Sequence, residues 1–201
     1  MGGFFDPALF ARTYRDPVAL FGLAIDLLPL IAIFGFGWGL NELVIFYWME
    51  NVIIGLGVWL RLFTLGTAAR KGEAWFLMVF FPVHYGMFCA VHGVFLFSLF
   101  QPEFTALALF IAASLAWEGL LFARYFIADG AYKSQSPSGV MFSPYGRIVI
   151  VHLAIFAAAF SAEALGSPVL GAIAILVLDI LWGIVLSLFR RLSAEKQAVT
   201  A

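Results

Sequence analysis

The sequence predicts an all-α polytopic membrane protein, a six-transmembrane-helix bundle preceded by a short N-terminal interfacial helix, and three observations predict it. The 201 residues are 64% hydrophobic and only 11% charged, with a mean hydropathy of +1.02, whereas soluble domains carry roughly 25% charged residues. Six apolar stretches are each long enough to cross a hydrocarbon core of about 30 Å. All 11 lysines and arginines fall on one set of connections and the two termini, and none falls in the other three connections. Positive charge marks the cytoplasmic side, so both termini are expected there.

Taken in order, residues 1–16 read as a cytoplasmic segment lying on the membrane surface. Phe4, Phe5, Leu9, Phe10 and Tyr14 alternate with polar residues there, and Asp6-Pro7 supplies an N-cap and a first helical position. Asp16-Pro17 repeats that start signal for the first span, 17–37, which holds Asp26 near its centre and Pro29 one turn later. This span lacks a small-x-small cleavage site, which predicts a retained helix rather than a leader. Glycines around Trp38 predict a tight turn into the second span, 40–62, with Glu50 and Asn51 inside it.

Arg61, Arg70 and Lys71 bracket the connection to the third span, 75–100. Gln101-Pro102-Glu103 predicts a minimal turn into the fourth, 104–127, which carries Glu118. Residues 128–145 are rich in Gly, Ser and Pro and read as the one long polar loop, with Arg124, Lys133 and Arg147 counted on its side. Ser143-Pro144 restarts a helix for the fifth span, 145–165, holding His152. Gly166-Ser167-Pro168 turns into the sixth, 168–189, with Asp179 at its centre, and 190–201 is a cytoplasmic tail. The six spans, 17–189, leave no room for a separate soluble domain.

Several classes are excluded. A net charge of -1 offers no basic face for nucleic acid. One cysteine, Cys89, permits neither an internal disulfide nor a four-cysteine zinc site. Intramembrane serine proteolysis of the rhomboid type lacks its Gly-x-Ser-Gly motif, and a ceramidase-like or adiponectin-receptor-like zinc hydrolase lacks a His-xxx-His pair. No internal repeat supports an inverted-repeat transporter plan.

The residues that carry chemistry are the ionisable ones inside the spans: Asp26, Glu50, His84, His92, Glu118, His152 and Asp179. Such groups are costly in hydrocarbon and are functional or paired. Pro82 withdraws a backbone donor just before His84 and leaves the Met78 carbonyl without its usual partner. Gly86, Ala90 and Gly93 offer places for a neighbouring helix to approach. His84 and His92 stand eight residues apart, about 12 Å along a helix, so they are not expected to bind one ion together. Span midpoints instead put His84, Glu118 and His152 at one depth, near Glu50.

The expected site is therefore a metal centre of His84 and His152 with Glu50, suited in type to zinc or non-haem iron. A b-type haem held axially by His84 and His152 is the other form of that expectation. Glu50 and His84 are the expected catalytic groups, and His92 is a further metal candidate at a different level. The bland reading of the same residues is hydrogen bonding between helices, worth about 0.6–2 kcal/mol each.

Tyr47-Trp48-Met49-Glu50-Asn51, His84-Tyr85-Gly86 with Phe88 and His92-Gly93-Val94-Phe95, and Pro144-Tyr145-Gly146-Arg147-Ile148-Val149 with His152 resemble the DUF6498 family of bacterial integral-membrane proteins. Leu165-Gly166-Ser167-Pro168 is similar as well. The resemblance implies a multi-pass protein of a bacterial inner membrane and brings no activity or catalytic residue with it. The functional expectation is redox or hydrolytic chemistry on a lipophilic substrate at the His/Glu cluster. A proton-coupled transporter using Asp26, Glu50, Glu118 and Asp179 is the alternative. A structural subunit that packs its 23 phenylalanines against other membrane-protein subunits, or a second copy, is the third. The lipid bilayer is the partner common to all three.

Overall fold

The computed structural model describes residues 6–101, 104–164, 166 and 168–200. The expected turns at Pro102-Glu103 and at Leu165 and Ser167 lie partly outside them, as do Phe4 and Phe5 of the N-terminal segment. The described chain is helical, with no strand among its described residues. Four helical stretches among the described residues are long and apolar enough to cross a membrane, Ala19–Phe36, Leu40–Thr67, Gly72–Ser98 and Leu107–Ala128, and Ile173–Phe189 is a shorter apolar one. Two compact units form, one from residues up to 37 with those from 154 onward, the other from 38–153.

In the first unit, α1 (Pro7–Thr13) begins where Asp6 accepts a hydrogen bond from the Ala8 amide at 2.9 Å. The first apolar stretch is two helices, α2 (Pro17–Asp26) and α3 (Leu28–Phe36), broken at Leu27. Pro29 enforces the break, because it has no amide to donate back into α2. Gly37 closes α3 in the left-handed region, at φ 69°, which a residue without Cβ adopts at no steric cost. Against α1 and α2 packs α9 (Pro168–Thr200), which continues well past the expected end at Phe189.

The second unit is built on α4 (Leu40–Thr67), which is buried on several sides by α5 (Gly72–Leu99), α6 (Phe104–Leu121) and α7 (Pro137–Phe142). α6 runs on as a π-helical turn over Phe122–Ala128. α8 (Tyr145–Ala164) starts directly after Ser143-Pro144, as the sequence predicts.

Helix α4 and helix α5 interlock by exchanging large rings for glycines. A Cβ on Gly93 would sit 2.6 Å from Trp48, and one on Gly55 would overlap the Tyr85 ring. Of the three small residues expected to admit a neighbour, Gly93 does so; Gly86 has nothing near it among the described residues, and Ala90 is exposed. The carbonyl freed by Pro82 also has a partner, since Trp59 Nε1 donates to Met78 O at 3.1 Å.

The region expected to be a polar loop is different from expectation. It contains a 3-10 turn, Ala131–Lys133, and then α7, capped by Ser136, whose hydroxyl accepts from the Gly139 amide. Pro137, Val140 and Met141 are buried, and the last two join a core with Val58, Leu62, Phe81 and Tyr85. Lys71 Nζ ties the segment down by donating to the carbonyls of Lys133 and Gln135. The physical reason is local: polar residues cap and turn this segment while Pro137, Val140 and Met141 face the interior, and Phe142 stays exposed.

Candidate functional site

Glu50 sits on the face of α4 turned toward α6 and α8 and is buried. Its Oε1 accepts from Ser114 Oγ at 3.0 Å, and its Oε2 pairs with the Arg147 guanidinium. One carboxylate thus joins three helices, with a cation opposite it. The expected role of Glu50 as a metal ligand meets this arrangement: both oxygens already have hydrogen-bond donors. Three turns along α4, Arg61 pairs with Glu118 of α6 at 2.8 Å. Gly57 makes room for that pair, since a Cβ there would lie 3.1 Å from Glu118 Oε2.

Neither Arg61 nor Arg147 belonged to the intramembrane set read from the sequence, where both were counted with the cytoplasmic connections. The missed signal is spacing: each lies only about a turn inside the edge of a span, within reach of a carboxylate on another helix. Asn51, beside Glu50, accepts a hydrogen bond from Tyr85 through its main-chain carbonyl at 3.0 Å. Its buried side-chain oxygen meets no donor among the described residues.

The histidines are arranged differently from expectation. His84 stacks between Phe80 and Tyr145, at 5.2 and 6.2 Å, with Phe88 edge-on. His152 meets His92 instead, their Nε2 atoms in direct contact and their rings at 89°. α5 and α8 run parallel, so Tyr145 lies at the level of His84, and seven residues further on His152 lies at that of His92. The expected depth match failed because α7 enters the core and sets the start of α8 deeper than a surface loop would.

The two rings share one chemical state. His92 Nδ1 lies 2.7 Å from Phe88 O, and His152 Nδ1 lies 2.6 Å from Ile148 O. A carbonyl can only accept, so each Nδ1 carries a proton and donates. In the neutral imidazole this leaves Nε2 as a lone pair, and the two lone pairs face one another. Such a contact is repulsive unless a cation, a proton or a metal ion, lies between them. No group of three or more His, Cys, Asp or Glu converges among the described residues, so the donor set here is two nitrogens.

Residues 8–200 match the model of a family of unknown function, DUF6498. The chain belongs to the DUF6498 family. No curated protein matches it, and no solved structure does. The DUF6498 match covers every residue of the ionic cluster and of the histidine pair. A second polar group of this DUF6498 chain lies in the first unit. Asp179 of α9 is buried, and one turn later Gly183 leaves a gap filled by the Asp26 carboxylate of α2.

Proposed function

We propose that this is a six-span protein of a bacterial inner membrane, both termini cytoplasmic, with a redox role centred on a b-type haem held by His92 and His152. The spans are the four apolar helical stretches together with α8, which is 20 residues long, and the apolar part of α9. The observation that carries the reading is the pair of Nε2 lone pairs aimed at each other from two helices, each ring held by a carbonyl on its far nitrogen. Tethering of this kind fixes the tautomer and orientation of a metal-ligating histidine.

Two imidazoles satisfy the axial positions of a haem iron, whereas catalytic zinc asks for three protein ligands. Nearby donors do not extend the set, and Glu50 is engaged by Arg147 and Ser114. The backbones of α5 and α8 scarcely approach, and rings bridge them. Phe88 of α5 stacks on the His92 ring and gives the pair an apolar neighbour. A metal held here would take the His92 and His152 Nε2 atoms as its ligands, with the rings further apart than the direct contact they make in this structure. A haem bound there would supply one-electron chemistry, while the chain's own residues would hold it through His92 and His152 and set fixed charge in the same unit through the Glu50–Arg147 pair.

Purified protein is expected to show a Soret band and about one iron per chain. Protein expressed with added haem precursor that shows neither a Soret band nor stoichiometric metal would overturn the proposal.

A second reading, a proton-coupled carrier, is favoured by Asp26 lying in the gap at Gly183, one turn from buried Asp179. Asp26→Asn and Asp179→Asn are then expected to abolish proton movement into vesicles carrying the protein. Equal proton movement in wild type, variants and empty vesicles would dispose of that reading.

A further inference from the structure

The first unit carries an open cavity on its surface. It has a volume of about 480 Å³ and is lined by Arg12, Arg15, Asp16, Pro17 and Arg191. Three guanidiniums against one carboxylate leave it with two net positive charges. The segments that build it are the end of α1, the first turn of α2 and the far part of α9, which pack together within this unit. Asp16-Pro17 also starts α2, whose first amides point back toward the cavity and add the positive end of a helix dipole. Apolar sequence begins two residues later, at Ala19.

We propose that this cavity binds a phosphate ester, and that its occupant in the membrane is the headgroup of an anionic phospholipid. Guanidinium groups match phosphate oxygens in a bidentate fork, which a lysine ammonium does not reproduce. The volume is in the range of small-ligand sites, ample for a phosphate with its glycerol. The position fits as well: an interfacial helix and the first turn of a spanning helix meet at headgroup depth. Tyr14 stands beside the site, and burial holds its hydroxyl above the usual pKa of 10, opposed by a hydrogen bond from Ser187 and reinforced by the charge of Asp26.

The proposal rests on this geometry alone and is independent of any haem. Two probes separate the possible sources of the phosphate. One is retention of phosphatidylglycerol by protein extracted from vesicles of phosphatidylglycerol and phosphatidylcholine, read by native mass spectrometry. The other is inorganic phosphate, read by calorimetry on delipidated protein.

Wild-type protein is expected to retain phosphatidylglycerol over phosphatidylcholine, and Arg12→Gln, Arg15→Gln, Arg191→Gln together to reduce that retention at least tenfold. The triple lysine variant keeps the charge but loses the forks, and is expected to fall severalfold. Arg124→Gln removes one charge at an exposed ion pair with Asp129, and is expected to change nothing. Binding of inorganic phosphate with the same ranking also supports the site and points to a soluble ester as a second occupant. Equal retention by wild type and the glutamine variant overturns the proposal. So does a lysine variant that matches wild type, because binding would then follow the general field of a basic membrane surface. Circular dichroism of each variant checks that helicity is kept.

Discussion

Glu50→Ala is expected to lower stability by about 3 kcal/mol, at the low end of the 3–5 kcal/mol cost of breaking a buried ion pair. Arg147 keeps its charge when Glu50 is removed, and its side chain is only 19% exposed, so water does little to replace the lost partner. Ser114 loses its acceptor in the same step. Glu50→Leu combined with Arg147→Met removes both charges and is expected to recover most of the loss, since an apolar pair of similar volume carries no desolvation cost. Denaturant titration of detergent-solubilised protein measures both. A double variant no more stable than Glu50→Ala would mean that the pair contributes more than mutual neutralisation.

His92→Ala and His152→Ala are each expected to remove the Soret band, while His84→Ala is expected to leave it in place. On the haem reading both Nε2 atoms would be ligands, and each histidine comes from a different helix, so one would not stand in for the other. His84 belongs to a ladder of stacked rings with Phe80 and Tyr145, and its loss removes aromatic contact rather than a ligand. The comparison separates the two levels of α5 by a spectrum alone. A band lost in His84→Ala and kept in His92→Ala would reverse the assignment.

Much of the architecture was legible because it depends on local chemistry. Asp6-Pro7, Asp16-Pro17 and Ser143-Pro144 each precede or open a helix, and at the first of them the Asp6 carboxylate caps the Ala8 amide. Pro82 announced a freed carbonyl, and Trp59 supplies the donor it needed. The candidate site was less legible, for two reasons. Charge near the end of a hydrophobic stretch reads equally as a loop residue or as the partner of a carboxylate on another helix; Arg61 and Arg147 are the second kind. Relative depth requires knowing where each helix begins in space, and a segment rich in Gly, Ser and Pro hid a buried turn of helix. That one displacement moved His152 from the level of His84 to that of His92.

The break at Pro29, the π turn and the glycine notches are features of single helices or helix pairs. α7 is of another kind. It spans six residues, about 9 Å at 1.5 Å per residue, too short to cross a membrane by itself. Its Val140 and Met141 find their place only on a surface that α4 and α5 have already formed. In the chain it follows those helices and precedes α8. Arg147 and His152, which pair with Glu50 and His92, lie beyond it in the chain, so a chain cut within residues 128–136 would carry α4, α5 and α6 and neither pair.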